Sequence, residues 1–175
     1  MSNHPLNQHL VLIGPMGAGK TTIGKMLANE LQLPFFDCDE QIEQRAGVDI
    51  SWIFDIEGEA SFRKRETAML TTLLQGSCSV ISTGGGVVTQ ENNRRLLAAM
   101  HQVIYLKPTK KQVLSRLHGD TKRPLLQHDD PGAIISDLMD TREPWYQQVA
   151  DDIISTDGLN AQQVVDHILA QWRQP

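Results

Sequence analysis

The sequence predicts an α/β fold in which a parallel sheet is covered by helices on both faces. Three observations carry this expectation. Short apolar runs alternate with amphipathic stretches along the chain. The first run, Leu10-Val11-Leu12-Ile13, is apolar at every position, as a strand buried on both faces must be. It stops at Gly14, where a glycine-rich turn leads into a stretch of helical periodicity.

After that turn, Lys20 to Gln32 places Ile23, Met26, Leu27 and Leu31 at helical spacing. Pro34-Phe35-Phe36 reads as a second strand. Gln41 to Ala46 reads as a helix stopped by Gly47, and Asp49 to Glu57 as another stopped by Gly58. Glu59 to Leu74 sets Phe62, Met69, Leu70 and Leu73 on one side. Ser79 to Ser82 is the third strand and runs into Gly84-Gly85-Gly86. Arg94 to Met100 is helical, and Gln102 to Leu106 is the fourth strand. Thr109 and Gln112 form a capping box for a helix from Lys110 to Leu117. Residues 119–131 are polar and rich in turn formers, a length of loop that commonly serves as a lid. A helix follows from about Gly132 to Glu143 and should end or kink near Pro144. Ile153-Ile154 is the fifth strand, and Ala161 to Trp172 closes the chain with Val164, Val165, Ile168 and Trp172 inward.

At 175 residues the chain has the size of one domain. Apolar residues make up 40% and charged residues 21%, which excludes disorder and coiled coil as descriptions of the whole. A net charge of −5 argues against a dedicated binder of nucleic acid or membrane surfaces. The first ten residues lack both the cations and the apolar run of a signal peptide, so a cytoplasmic protein is expected. Cys38 and Cys78 stand forty positions apart, with no CxxC pair and no HExxH spacing, which argues against zinc. Both thiols are expected to be small buried side chains.

Gly14-Pro-Met-Gly17-Ala18-Gly19-Lys20-Thr21 matches G-x-x-x-x-G-K-[ST] in full, after a buried strand and before a helix. Backbone N–H groups of such a loop converge on phosphate oxygens, and the helix dipole adds to them. Lys20 supplies a cation to the β- and γ-phosphates, and the Thr21 hydroxyl can ligate Mg²⁺. Thr22 continues the loop's phosphate-binding end. Asp37 and Asp39 follow the second strand. In an extended chain they point to one side, at the strand end where α/β sheets bind ligands. Either of them can instead cap the next helix. Arg142 falls within an apolar stripe of Ile135, Leu138, Met139 and Trp145 or Tyr146, so it must snorkel, pair or meet a ligand. Arg63 lies four residues after Glu59 and three before Glu66, the spacing of a surface ion-pair ladder. Arg123 sits in the long polar loop, where a P-loop enzyme can carry an arginine finger. The triplet Gly84 to Gly86 points to close approach of backbone and ligand.

Taken together these marks resemble the shikimate kinase family over nearly the whole chain. The marks are Gly14 to Thr21, Asp37-x-Asp39, Gly58-Glu59 with Phe62-Arg63-x-x-Glu66, Thr83-Gly84-Gly85-Gly86, Arg123-Pro124-Leu125 and Arg142-x-Pro144-x-Tyr146. The resemblance implies a single P-loop kinase domain over 1–175 with a five-stranded parallel sheet of order 2-3-1-4-5. It implies a mobile lid over about 117–131 and an acceptor-binding segment over about 37–63. It implies transfer of the ATP γ-phosphoryl to the 3-hydroxyl of shikimate. By the same resemblance Asp39 holds the acceptor hydroxyls, and Asp37 reaches Mg²⁺ through water. Arg63 and Arg142 grip the acceptor carboxylate, and the N–H groups around Gly85 and Gly86 touch the substrate. Arg123 approaches the transferring phosphoryl, and Arg116 stacks on adenine, with Ala161 near the far wall. A monomer is expected. The acidic chain would thus gather Lys20, Arg63, Arg116, Arg123 and Arg142 around two anionic substrates.

Two other readings compete. One is a different small-metabolite kinase, for gluconate or a nucleoside monophosphate. The other is a regulatory nucleotide switch, since Asp55-Ile-Glu-Gly58 fits D-x-x-G. That motif ends a predicted helix, however, and no N-K-x-D accompanies it.

Overall fold

In the computed structural model, which describes residues 8–118 and 129–172, strand β1 (Leu10–Ile13) lies at the centre of a five-stranded sheet. The chain then runs through α1 (Lys20–Leu31), β2 (Phe35–Asp37), α2 (Cys38–Ala46) and α3 (Ile50–Trp52). A π-helical turn, Ile53–Glu57, leads from α3 into α4 (Glu59–Leu74). Next come β3 (Val80–Ser82), a 3₁₀ turn Val87–Thr89, α5 (Glu91–Ala98), β4 (Val103–Lys107) and α6 (Lys110–Leu117). The chain closes with α7 (Pro131–Val149), β5 (Asp152–Ser155) and α8 (Ala161–Trp172).

The strand order is β2-β3-β1-β4-β5 and every pairing is parallel, as the family resemblance implied. Alternate residues of β1 face opposite ways. Val11 and Ile13 join a core with Ile42, Phe62, Leu70 and Tyr146. Leu10 and Leu12 join a second core with Ile23, Leu27, Val165 and Ile168. All four β1 side chains are fully buried, which is why that run shows no polar alternation. Among the described residues no helix is long and apolar enough to cross a membrane.

Several expectations are corrected. Residues 37–39 are not extended: β2 ends at Asp37 and α2 starts at Cys38. Asp37 is the N-cap, and its Oδ1 accepts from the N–H of Asp39 at 3.0 Å and of Glu40 at 3.2 Å. The helix expected over Asp49 to Glu57 is a short α3 that widens into a π turn. The fifth helix begins at Glu91, ahead of Arg94. Cys38 is buried, but Cys78 is only half-buried and its thiol donates to the Gln8 carbonyl.

The largest correction concerns α7, which does not end at Pro144 but continues to Val149. An interior proline costs about 3 kcal/mol. Beyond it, however, Tyr146 and Val149 are buried and Trp145 packs on the core. Each such side chain contributes about 1.5–3 kcal/mol on burial. Packing therefore outweighs the local rule, and Pro144 itself faces solvent.

Candidate active site

The phosphate-binding loop leaves the C-terminal end of β1. Gly14, Gly17 and Gly19 have φ of +147°, +76° and +91°, a region that side chains disfavour. At Gly14 a Cβ would also come within 2.6 Å of the Leu106 carbonyl oxygen. Ala18 is buried and Thr22 is exposed on α1. Lys20 Nζ donates to the Gly14 and Pro15 carbonyls at 2.7 and 2.8 Å, so its cation bridges the loop. Thr21 Oγ1 donates to Asp37 Oδ2 at 2.6 Å. That bond uses the hydroxyl's proton and leaves its lone pairs for a cation. Asp37 thus serves two masters: Oδ1 caps α2 and Oδ2 orients Thr21.

Asp39 stands in the first turn of α2. A Cβ on Gly84 would lie 2.9 Å from Asp39 Oδ1 and 2.9 Å from Glu66 Oε2, so two carboxylates converge on that glycine. Glu66 is 1% exposed, and its Oε2 accepts no hydrogen bond among the described residues. Its Oε1 accepts from Arg63 Nη1 at 2.9 Å. Arg63 also donates to Glu59, at 3.3 Å from Nε and 3.1 Å from Nη2. The expected surface ladder is therefore a buried clamp, because α4 turns this side inward along with Phe62 and Met69. Its guanidinium lies against Gly86, where a Cβ would sit 2.5 Å from Nη1 and 2.7 Å from Cζ.

Arg142 is buried on α7 at 6% exposure, as its place in the apolar stripe required. With Pro15, Met16, Ile135, Leu138 and Met139 it lines a small cavity between the phosphate loop and α7. One turn on, the Tyr146 hydroxyl donates to the Gly85 carbonyl. A Cβ on Gly85 would lie 2.9 Å from the Met16 amide nitrogen, so the glycine triplet abuts the phosphate loop. Arg116 is exposed at the end of α6 and donates from Nη1 to the Gly17 carbonyl at 2.7 Å. Ala161 opens α8 and packs against the second core. Arg123 and residues 119–128 of the lid expected over about 117–131 lie outside the described residues.

The electrostatics follow from this crowding. Burial pushes the Glu66 carboxyl above the ordinary carboxylate range, although Arg63 and then Arg142 pull it down. Burial also opposes the charge on Arg63, but Glu66 and then Glu59 outweigh it and hold the guanidinium above its ordinary value. The Cys38 thiol is pushed well up, by burial first and then by Asp39, Asp37 and Glu66. It is an inert neighbour of the site rather than a nucleophile.

The structure thus brings Lys20, Thr21, Asp37, Asp39, Arg63, Arg142 and Gly84 to Gly86 to one end of the sheet. Two further contributors, Glu66 and Tyr146, had no role assigned from sequence. Each stood in a motif beside a named arginine, and the signal was a polar group on a helix stripe that is otherwise apolar. An anionic group can meet two buried guanidinium groups here. A hydroxyl can donate to carboxylates that otherwise repel. Thr21 and Asp37 offer the hard oxygen donors that suit Mg²⁺. Among the described residues no cluster of three or more His, Cys, Asp or Glu forms a metal cage.

The family model described as shikimate kinase matches residues 16–173. The shikimate kinase of Legionella pneumophila is 51% identical over 162 residues, covering 93% of both chains. That of Pseudomonas paraeruginosa is 49% identical over 166 residues, 95% of this chain and 96% of the relative. The solved shikimate kinase of Acinetobacter baumannii in complex with shikimate superposes with a TM-score of 0.92 at 41% identity. That superposition covers 96% of this chain and 93% of the other. A phosphate-binding loop, a buried Arg–Glu clamp and a glycine triplet at one sheet end thus coincide with close relatedness along more than nine-tenths of the chain, and the chain belongs to the shikimate kinase family.

Proposed function

We propose that this chain, as one kinase domain, transfers the γ-phosphoryl of ATP to the 3-hydroxyl of shikimate, giving shikimate 3-phosphate and ADP. The observation that carries the acceptor side is the convergence at the glycine triplet. Asp39 and Glu66 meet Gly84, Arg63 meets Gly86, and the phosphate loop meets Gly85. A small acid bearing several hydroxyls asks for those groups: a planar guanidinium for its carboxylate and an anionic acceptor for its hydroxyls.

In this mechanism Arg63 and Arg142 bind the carboxylate and the N–H groups of Gly85 and Gly86 add to them. Asp39 accepts the hydrogen bond of the reacting hydroxyl and orients its oxygen for in-line attack. Whether it also takes the proton is read from the pH profile of its variants. Lys20 exchanges its loop carbonyls for phosphate oxygens, which costs little because the cation is already desolvated and in place. Thr21 and Asp37 would hold Mg²⁺, Asp37 through water. When bound there, Mg²⁺ would supply neutralisation of phosphate charge, and the protein's own residues are left mainly the work of positioning. Arg116 stands beside Gly17 and reaches the adenine side, and Arg123 belongs to the lid that excludes water. The working state is a monomer in the cytoplasm.

Coupled measurement of ADP release with shikimate, gluconate and nucleoside monophosphates as acceptors tests this reading. Turnover with shikimate above all others is expected, and a mass shift of one phosphate on shikimate identifies the product. Strong turnover with gluconate or a nucleotide and none with shikimate overturns it.

A further inference from the structure

Tyr146 is given no substrate contact of its own, yet it is hydrogen-bonded to Arg142 and to the loop that receives the acceptor. Its hydroxyl donates to the Gly85 carbonyl, and the side chain is 1% exposed. Its ring stacks on Tyr105 with centroids 4.9 Å apart and planes inclined by 24°. The Tyr105 hydroxyl in turn donates to Glu143, which Lys107 and Gln147 hold at 2.6 and 2.8 Å. The phenol is therefore fixed from behind. Burial, against the pull of Arg142, pushes the Tyr146 hydroxyl up to about 12, so it stays a donor at neutral pH.

The Gly85 carbonyl and the Gly86 N–H belong to one peptide unit. In a trans peptide these two groups point opposite ways, and none of the described peptides is cis. Fixing the carbonyl on Tyr146 therefore fixes the direction of the Gly86 N–H, away from the buried phenol. Gly86 is buried, yet among the described residues no protein acceptor takes its N–H. Buried amides rarely go without a partner, so this donor awaits one. The Arg63 guanidinium lies against the same residue.

We propose that Tyr146 is a positioning residue that, by holding the Gly85 carbonyl, aims the Gly86 N–H at the acceptor's carboxylate beside Arg63. The hydrogen bond also polarises the peptide and strengthens the donor at its far end. This inference rests on the reading that Arg63 and the glycine triplet receive that carboxylate.

Tyr146→Phe keeps the ring and its stack and removes only the hydroxyl. The KM for shikimate should rise on the order of tenfold, since an aligned hydrogen bond to a charged group is lost. The KM for ATP should stay within about twofold. With an analogue carrying CH₂OH in place of the carboxylate, the same variant should lose much less kcat/KM. Tyr146→4-aminophenylalanine, whose amine donates where the hydroxyl did, should restore shikimate binding, and it tests the idea even if the phenylalanine variant folds poorly. Tyr105→Phe keeps the stack on Tyr146 and removes only the outer bond to Glu143, so it should raise the KM for shikimate far less than Tyr146→Phe does. Equal losses for acid and alcohol, or equal effects of Tyr146→Phe and Tyr105→Phe, would mean a packing role and overturn the proposal. Arg63→Ala measured with the same two acceptors separates the parent reading. If it too fails to discriminate acid from alcohol, the carboxylate does not bind here. If Arg63→Ala discriminates and Tyr146→Phe does not, only the positioning role falls.

Discussion

Gly86→Ala is the smallest change that tests the acceptor site. The backbone at Gly86 has φ −94°, which alanine adopts without strain. The obstacle is the Arg63 guanidinium, 2.5 Å from the new methyl at Nη1 and 2.7 Å at Cζ. Ordinary carbon contacts lie near 3.5 Å, so the guanidinium must retreat by about 1 Å. A retreat of that size misaligns the 2.9 Å bond to Glu66, a charged pair worth about 1.5–3 kcal/mol. Replacing glycine returns about 0.4–1 kcal/mol by restricting the unfolded chain. The net loss of stability is therefore about 1–2 kcal/mol, a drop of roughly 2–8 °C in melting temperature at this chain length. The effect on turnover is larger. Misplacing a binding group by about 1 Å costs on the order of 100-fold in rate. Steady-state ADP release should show kcat/KM for shikimate down by about that factor, with the KM for ATP unchanged. A variant within about threefold of the parent at normal melting temperature would refute the placement of Arg63 in the acceptor site.

Three further outcomes follow from the same geometry. Arg142→Ala should weaken shikimate binding at least tenfold and leave ATP affinity nearly intact by calorimetry; parallel loss of both would mark a folding defect. Asp39→Asn should lower kcat by about 10²–10⁴-fold with a circular-dichroism spectrum like the parent's, and near-normal turnover would remove Asp39 from the mechanism. Glu66 has its folded pKa raised by burial above 4.5, so the native state binds its proton more tightly than the unfolded chain does. Its contribution to stability is therefore greatest below 4.5 and declines as pH rises through the raised value. In urea melts the parent should lose stability relative to Glu66→Gln over that interval, and a pH-independent difference would contradict the assignment.

Much of this molecule is legible in its sequence because local chemistry and tertiary context agree. β1 reads as buried because it is apolar at every position, and the phosphate loop reads from glycines whose backbone conformations require them. Arg142 was conspicuous because a cation stood in an apolar stripe. The failures have a common cause in long-range packing. Pro144 ends helices by local rules, but the burial of Tyr146 and Val149 carries α7 past it. Arg63 and Glu66 look like a solvated pair by spacing alone. Only the docking of α4 against α2, the Val87–Thr89 turn and the glycine triplet makes them a buried clamp. Asp37 and Asp39 read as paired ligands, with a helix cap as the alternative, and the structure makes Asp37 the cap while keeping it bonded to Thr21.

The two glycine clusters are held by different constraints, and this bears on how such an enzyme can diverge. Those of the phosphate loop have positive φ, so the chain's own path keeps side chains out whatever the acceptor is. Gly84 and Gly86 have no such conformation; they are bare because Asp39, Glu66 and Arg63 occupy the space a methyl would fill. A lineage or a designer that shortens those three side chains to admit a new acceptor thereby frees Gly84 and Gly86 to regain side chains. The phosphate loop gains no such freedom. Acceptor choice is thus written into a replaceable module, whereas the nucleotide grip is locked to the backbone.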